Sequence, residues 1–149
     1  MNSERILIKD FAELTPYELY EILQARNEVF IVEQNCVYRD VDGHDEQSLH
    51  VVIPFDGKLG AYCRIARPGT VHPEWSIGRV LTSKHARGQK LAHRLMAAAL
   101  DAMARRGGGS CRIAAQAHLQ NFYESHGFAR IGEDYLDDGI PHVDMLRTA

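Results

Sequence analysis

Leu81–Gly109, LTSKHARGQKLAHRLMAAALDAMARRGGG, passes from a strand end through a short basic turn into a long helix. Leu91, Leu95, Ala98, Ala99 and Ala102 recur at helical spacing and mark one apolar face, from Gln89 to a stop at Gly107-Gly108-Gly109. The first backbone N–H groups of a helix lack intrahelical partners and carry partial positive charge. Gly88 keeps side-chain bulk away from them, while Arg87, Lys90 and Arg94 add charge, so the turn suits an anion. A plain helix start with a solvated basic face has the same composition. The turn is no Walker loop, because no Gly-Lys-Ser/Thr follows, and it lacks the three spaced glycines of a dinucleotide fingerprint.

The flanking segments set the fold class. WSIGRVLT (75–82) precedes the turn as a strand, and CRIAAQA (111–117) follows the helix as a short, bounded, buried strand. A strand-helix-strand unit implies a parallel pair. RILIKDF (5–11) alternates apolar and polar residues as a first strand. Thr15-Pro16 starts a helix, and Leu19, Ile22, Leu23, Arg26 and Phe30 carry it to about Val32. SLHVVIPF and LGAYCRIARP flank Asp56-Gly57-Lys58 as an antiparallel hairpin. LQNFYESH makes a short helix closed by Gly127, and FARIGEDYL and HVDMLRT form two strands around Asp137-Asp138-Gly139. The pattern predicts one mixed α/β domain over residues 1–149, with antiparallel hairpins beside a central parallel pair.

Composition narrows the function classes. The chain has 149 residues, 45% of them hydrophobic, enough for one real core. A formal charge of -3 argues against general nucleic-acid binding, and no apolar run approaches the roughly 20 residues that span a bilayer. MNSERILIKDF carries charge inside its apolar stretch, which does not fit a secretory signal. Cys36, Cys63 and Cys111, odd in number and far apart, suit reduced thiols in a cytoplasm, each read as structural.

Three further segments bear on a site. QNFYESHGF (120–128) puts Tyr123, whose hydroxyl can donate a proton, just past a strand end, where ligands of α/β sheets bind. Phe122 and Phe128 read as packing. DVDGHDE crowds Asp40, Asp42, His44, Asp45 and Glu46 without calcium-loop or zinc-ligand spacing, so the expectation is a solvated acidic loop and no metal. In RNEVF, Val29 and Phe30 read as core, whereas Arg26 is either a buried ion-pair partner or part of an acceptor pocket. Trp75 reads as packing, and Pro141 as the rim of a hairpin bordering a pocket or a subunit contact.

Together the turn and the tyrosine segment resemble the GNAT superfamily of acetyl-CoA-dependent N-acyltransferases. The family's pyrophosphate loop, Arg/Gln-x-x-Gly-x-Gly/Ala, is matched by Arg87 and Ala92, with Lys90 where the internal glycine is usual. Its Y-E-x-x-G-F segment is matched by Tyr123, Glu124, Gly127 and Phe128, and Gln116 stands where an asparagine is often found. ARNEVFIVEQNCVYRDVDGHDEQSLH, AQAHLQNFYESHGF and DDGIPHVDM are similar to the ElaA-type branch, in which a lysine at position 90 looks normal.

The resemblance implies a GNAT-like fold: a mixed, mostly antiparallel sheet with a central splayed parallel pair and flanking helices. It implies acetyl-CoA as acyl donor, with Val80, Leu81 and Thr82 offering backbone groups to the pantetheine arm. Arg87, Gly88, Gln89, Lys90, Leu91, Ala92 and His93 would hold the pyrophosphate, and Gln116 and Tyr123 would complete the cofactor side. Tyr123 would protonate the departing thiolate. The base is left open among His118, Glu33, His44, Asp45, Glu124 and a water relay, with His118 the best placed histidine. Arg26, Glu33, Asp42, His44 and Asp45 are expected toward an amine acceptor, small molecule or peptide, where acidity would attract a cation. A homodimer is compatible with this reading, and the alternative is a noncatalytic acyl-CoA-binding or protein-interaction module of the same fold.

Overall fold

The computed structural model describes residues 5–149, so the signal-peptide reading of residues 1–11 lies partly outside it. Strands β1 (Leu7–Asp10), β2 (Ser48–Phe55), β3 (Lys58–Ala66) and β4 (Ser76–Thr82) form one antiparallel sheet in that order. A second sheet holds β5 (Cys111–Gln116), β6 (Ala129–Arg130), β7 (Tyr135–Asp137) and β8 (Ile140–Arg147), with β8 antiparallel to the other three. The helices are α1 (Pro16–Arg26), α2 (Leu91–Ala104) and α3 (Gln120–Glu124). This is the mixed, mostly antiparallel α/β architecture that was expected. No helix among the described residues is long and apolar enough to cross a membrane.

The two sheets meet at a single parallel bridge between Trp75 and Cys111. There the Trp75 N–H donates to the Ser110 carbonyl at 3.1 Å, and the Arg112 N–H donates to the Trp75 carbonyl at 2.7 Å. Trp75 packs, as its sequence context suggested: it is buried, and its indole N–H donates to the Gly108 carbonyl at 2.8 Å, fastening the end of the α2 segment to the bridge. Beyond that point β4 and β5 diverge, so the parallel pair is one bridge long.

Period-two alternation distributes the two faces of the first sheet. Leu49, Val51 and Ile53 of β2 and Ala61, Cys63 and Ile65 of β3 join the buried α2 face of Leu91, Leu95, Met96, Ala99, Ala102 and Met103. On the opposite face Val52, Tyr62 and Leu81 pack with Ile22 of α1. Truncating one fully buried leucine such as Leu95 removes about 2–5 kcal/mol from a core of this kind. Gly60 is required where α2 meets β3: a Cβ there would lie 2.6 Å from Phe55 Cβ and 2.9 Å from Leu91 Cδ1.

The start of α1 is as expected, and two later boundaries differ. Thr15 caps α1 through a reciprocal box, its Oγ1 accepting from the Glu18 N–H at 3.1 Å while Glu18 Oε1 accepts from the Thr15 N–H at 2.8 Å. The helix then changes character, continuing from Asn27 to Glu33 as a π-helical segment rather than an α-helix. FARIGEDYL is two short strands rather than one, because Gly132 turns the chain at a φ of +84° between β6 and β7.

Candidate active site

The splay opens a cleft of about 590 Å³. Among the described residues β4 is the last strand of its sheet, so past Trp75 its outer edge has no strand neighbour there. Val80, Leu81 and Thr82 lie along that edge and line the cleft. Within β4 the pairing shifts register, with Tyr62 opposite Leu81 but Arg64 opposite Gly78, so Arg79 and Val80 together face Cys63. This bulge holds Arg79 at a φ of +53° and re-aims the strand at the cleft. The wall across from β4 comes from Ile113, Ala114 and Gln116 of β5 and from Tyr123 of α3. Val29 and Phe30, expected in the core, are partly buried and line the cleft as well.

The basic turn runs from the end of β4 to the mouth of α2. Gly88 has a φ of +84° with open space where a Cβ would stand. Lys90 occupies the helix N-cap at a φ of +59°, a left-handed conformation that accounts for glycine being usual there, and no side chain caps the helix. The leading N–H groups of α2 therefore have no capping side-chain acceptor. Among the residues expected to hold the pyrophosphate, Gln89 is exposed and Ala92 half-buried, whereas the Leu91 side chain is buried in the core. His93 lies on the ring of Phe122 at 4.8 Å between centroids, with Nδ1 2.9 Å from His126 Nε2.

Arg87 lines the cleft, but its guanidinium is held by Glu33, Nη1 to Oε2 at 2.5 Å and Nη2 to Oε1 at 2.6 Å. The Arg87 hydrogen bond holds the Glu33 carboxyl below its ordinary range. Glu33, expected on the acceptor side, thus sits at the basic turn. Both side chains are partly exposed, which leaves the pair open to exchange with a competing anion.

Tyr123 is buried, edge-on to Phe122 and to Phe128 at 5.0 and 6.0 Å between centroids. Burial pushes its phenol pKa up, so the hydroxyl keeps its proton throughout the neutral range. Gln116 and His118 reach the same cleft, Gln116 half-buried and His118 exposed on the turn after β5. Glu124 points away and accepts from Gln120 at 3.1 Å, the surface charge its position beside Tyr123 suggested.

The cleft also contains groups that sequence reasoning did not single out: His72, Arg79, Asp137, Asp138 and His142. His142 is half-buried on β8, directly opposite Gln116 of β5. Its Nδ1 lies 2.7 Å from the Ile140 carbonyl, and its ring stacks on Tyr135 at 6.1 Å. DDGIPH, with Pro141 at the hairpin rim, was the one local signal for it.

The acidic loop is organised in a way the sequence did not suggest. Three aspartates and three arginines alternate in a closed ring of charge. Arg26 Nε pairs with Asp40 at 2.8 Å, Asp40 with Arg79 Nε at 2.8 Å, and Arg79 Nη2 with Asp42 at 3.1 Å. The circuit continues from Asp42 to Arg64 at 2.8 Å, from Arg64 to Asp45 at 2.9 Å, and from Asp45 back to Arg26 at 2.6 Å. The Arg79 Nε contact is an ion pair by distance without an aligned hydrogen bond, and the Arg79 guanidinium also lies 5.4 Å over the Tyr38 ring. Burial works to raise the Asp42 and Asp45 carboxyls, but hydrogen bonds from Arg64 and Arg26 outweigh it and hold both below the usual carboxylate range.

This geometry corrects several expectations. The loop is not a solvated acidic patch, since Asp40 and Asp45 are buried and every carboxylate of the ring is neutralised. Arg26 has no exposed surface and takes the ion-pair alternative, not the pocket one. Asp42 and Asp45 are turned into the ring, where the arginines neutralise both carboxylates, and neither lines the cleft. His44 is exposed outside the cleft, its N–H donating to Asp42 at 3.1 Å. Beside the ring, His50 is buried between the Tyr62 hydroxyl at 2.7 Å and the Asp45 carbonyl at 2.9 Å. The carbonyl can only accept, so Nε2 carries the proton, and burial lowers the ring's pKa and keeps it neutral.

A profile for the acetyltransferase (GNAT) domain matches residues 13–149. Protein ElaA of Escherichia coli is 41% identical over 139 residues, 91% of each chain, and its crystal structure superposes with a TM-score of 0.89 over 96% of this chain and 99% of that one. A crystal structure of an acyl-CoA N-acyltransferase from Pseudomonas aeruginosa is 44% identical, with a TM-score of 0.91, covering 97% of this chain and 99% of that one. An aminoglycoside 6'-N-acetyltransferase complexed with coenzyme A shares the fold alone, at 12% identity and a TM-score of 0.72 over 95% and 96% of the two chains.

Proposed function

The chain belongs to the GNAT acetyltransferase family, and from that premise we propose that it moves an acetyl group from acetyl-CoA directly to a primary amine, small molecule or peptide. The observation that carries the proposal is one juxtaposition. An open β4 edge leads into an uncapped helix mouth beside Arg87, with the protonated Tyr123 lining the same cleft.

The residues present fit a diphosphate. The turn at Gly88 is open, the leading amides of α2 have no side-chain cap, and Arg87 needs only to exchange Glu33 for phosphate oxygens. Gly88, Gln89, Lys90, Ala92 and His93 would contribute at this mouth, with Leu91 acting through its backbone alone because its side chain is in the core. Val80, Leu81 and Thr82 would pair with the amide-bearing arm of the donor as an added strand does. The donor supplies an already activated thioester, so no enzyme nucleophile is required.

A backbone N–H of β4 would face the thioester oxygen where negative charge develops. The nitrogen of the neutral amine attacks the carbonyl carbon, the carbon–sulfur bond breaks, and the Tyr123 hydroxyl protonates the departing sulfur; the proton that the nitrogen sheds on becoming an amide passes to solvent, from which Tyr123 regains its own. Cys63 and Cys111 are buried and burial raises both thiols, which supports direct transfer over a relay through cysteine. Cys36 lines the cleft, but among the described residues its sulfur meets only the Asp138 carbonyl, at 3.8 Å.

The test is release of free thiol from acetyl-CoA in the presence of a panel of primary amines: lysine, aliphatic diamines and peptide N-termini. Turnover is expected, and Tyr123→Phe should lower kcat about a hundredfold or more with acetyl-CoA affinity retained. Binding without turnover across the panel would make the protein a noncatalytic acyl-CoA module. Unchanged turnover in Tyr123→Phe at every pH would remove that residue from the acid role.

A further inference from the structure

An amine reaches a neutral solution as an ammonium ion and must lose a proton before its nitrogen can attack, yet none of the side chains marked by the sequence as base candidates is well disposed for that step. Asp45 is locked in the charge ring, Glu33 is paired with Arg87, and Glu124 and His44 lie outside the cleft. His118 reaches the cleft, but its ring makes no hydrogen bond to another described residue that would set its tautomer or aim.

We propose that His142 is the general base, taking the ammonium proton on Nε2 before the amine attacks. The inference rests on the acyl-transfer reading above and adds a residue to it.

Three observations on this side chain converge. The Ile140 carbonyl, 2.7 Å from Nδ1, has no proton to give, so the bond forms only if Nδ1 carries the hydrogen. The neutral ring then holds its lone pair on Nε2. The ring is fixed by more than that bond: it stacks on Tyr135 at an interplanar angle of 27°, and the Tyr135 hydroxyl is anchored to Asp144 at 2.5 Å. His142 also stands opposite Gln116, at the end of β5 where the sheets have splayed, on the wall of the cleft that Tyr123 lines too. A base oriented by a carbonyl and an acid kept protonated by burial thus open on one cavity. The proton taken from the ammonium and the one given to the leaving sulfur are handled by different groups.

The charged and titratable groups around the imidazole are Tyr135 and Asp137 on β7, Asp138 in the turn, Asp144 on β8 and His118 after β5. Cys36, Tyr38, Arg64, His72 and Arg79 line the same cleft. None of the carboxylates at positions 137 and 138 forms an ion pair with a described residue, so the rim beside His142 keeps net negative charge, as suits a cationic amine.

The experiment has two arms. Nitrogen-15 spectra of the histidine rings in the free protein should give the Nδ1–H tautomer for His142, and the Nε2–H tautomer would overturn the proposal whatever the turnover. In the second arm, His142→Ala and His142→Gln are compared with wild type using acetyl-CoA and the primary amine that the panel shows to be turned over fastest. Both variants should lose about a hundredfold in kcat/KM at neutral pH while acetyl-CoA affinity is unchanged. Their remaining rate should climb about tenfold per pH unit, following the fraction of amine already neutral in solution. Added imidazole should restore part of the His142→Ala rate. Rates within about threefold of wild type across the pH range, or a loss with no imidazole rescue and an unaltered pH profile, would refute the role. Turnover that survives in the variants sinks the base alone, whereas wild-type protein that binds acetyl-CoA and acetylates no amine sinks acyl transfer itself and the base with it.

Discussion

Replacing Asp45 by Asn should cost far more stability than its place in a polar loop suggests. The carboxylate meets Arg26 at 2.6 Å and Arg64 at 2.9 Å, and Arg26 is wholly buried. Neutralising it leaves Arg26 with Asp40 alone and Arg64 with Asp42 alone, so the ring carries one uncompensated positive charge away from water. Removing one partner of a buried ion pair costs about 3–5 kcal/mol, against about 5–15 kcal/mol for the whole fold. For a chain of this length that corresponds to a fall in Tm of about 6–20 °C. Urea unfolding of Asp45→Asn should therefore show a lower midpoint with an unchanged slope.

The same ring sets an acid limit. Asp42 and Asp45 have native pKa values below their unfolded ones, so their contribution is fully present above the ordinary carboxylate range. It is lost as pH falls through their depressed native values. Wild type should lose stability steeply below about pH 4, and Asp45→Asn less steeply. Asp101→Asn, which breaks the exposed pair with Arg105, should leave the midpoint where it is. An Asp45→Asn loss of less than about 1 kcal/mol, the range of exposed pairs, would refute the claim that the ring is energetically buried.

Gly60→Ala should destabilise by about 1–3 kcal/mol in thermal or urea unfolding, because the added methyl meets Phe55 Cβ, Leu91 Cδ1 and the Ile53 carbonyl within 3.0 Å. A neutral result would show that β3 and α2 separate there at little cost. Glu33→Gln should tighten coenzyme A binding, measured by calorimetry, by up to about fivefold and steepen its salt dependence, since it frees Arg87 for the diphosphate. Weaker binding would mean that Glu33 orients Arg87 for the ligand instead of competing with it.

Much of the site was legible because its parts are local. A basic turn before an apolar helical face lies within a few residues and is read from spacing, and Tyr-Glu-x-x-Gly-Phe is as short and was read from its resemblance to the family's segment. Lys90 was the visible departure, and the structure gives its meaning: the position takes a left-handed backbone that a lysine can adopt at some cost. The bulge at Arg79 was not legible, since it depends on the register against Tyr62 and Arg64 of the neighbouring strand.

What the sequence determined by itself was therefore the order of elements, the mixed sheet, the helix mouth and the tyrosine beside it. The first three are short-range consequences of periodicity, capping and turn chemistry, and the tyrosine was read from its resemblance to the family's segment. Tertiary structure alone decided what the charges do. Arg26 and Asp45 are 19 residues apart in the chain, Arg79 and Asp42 are 37 apart, and Arg87 and Glu33 are 54 apart. An aspartate in a loop has the same letter whether water or a guanidinium neutralises it. Which one does so depends on the chain folding back on itself, and that choice turned an apparent acceptor site into a buried ring.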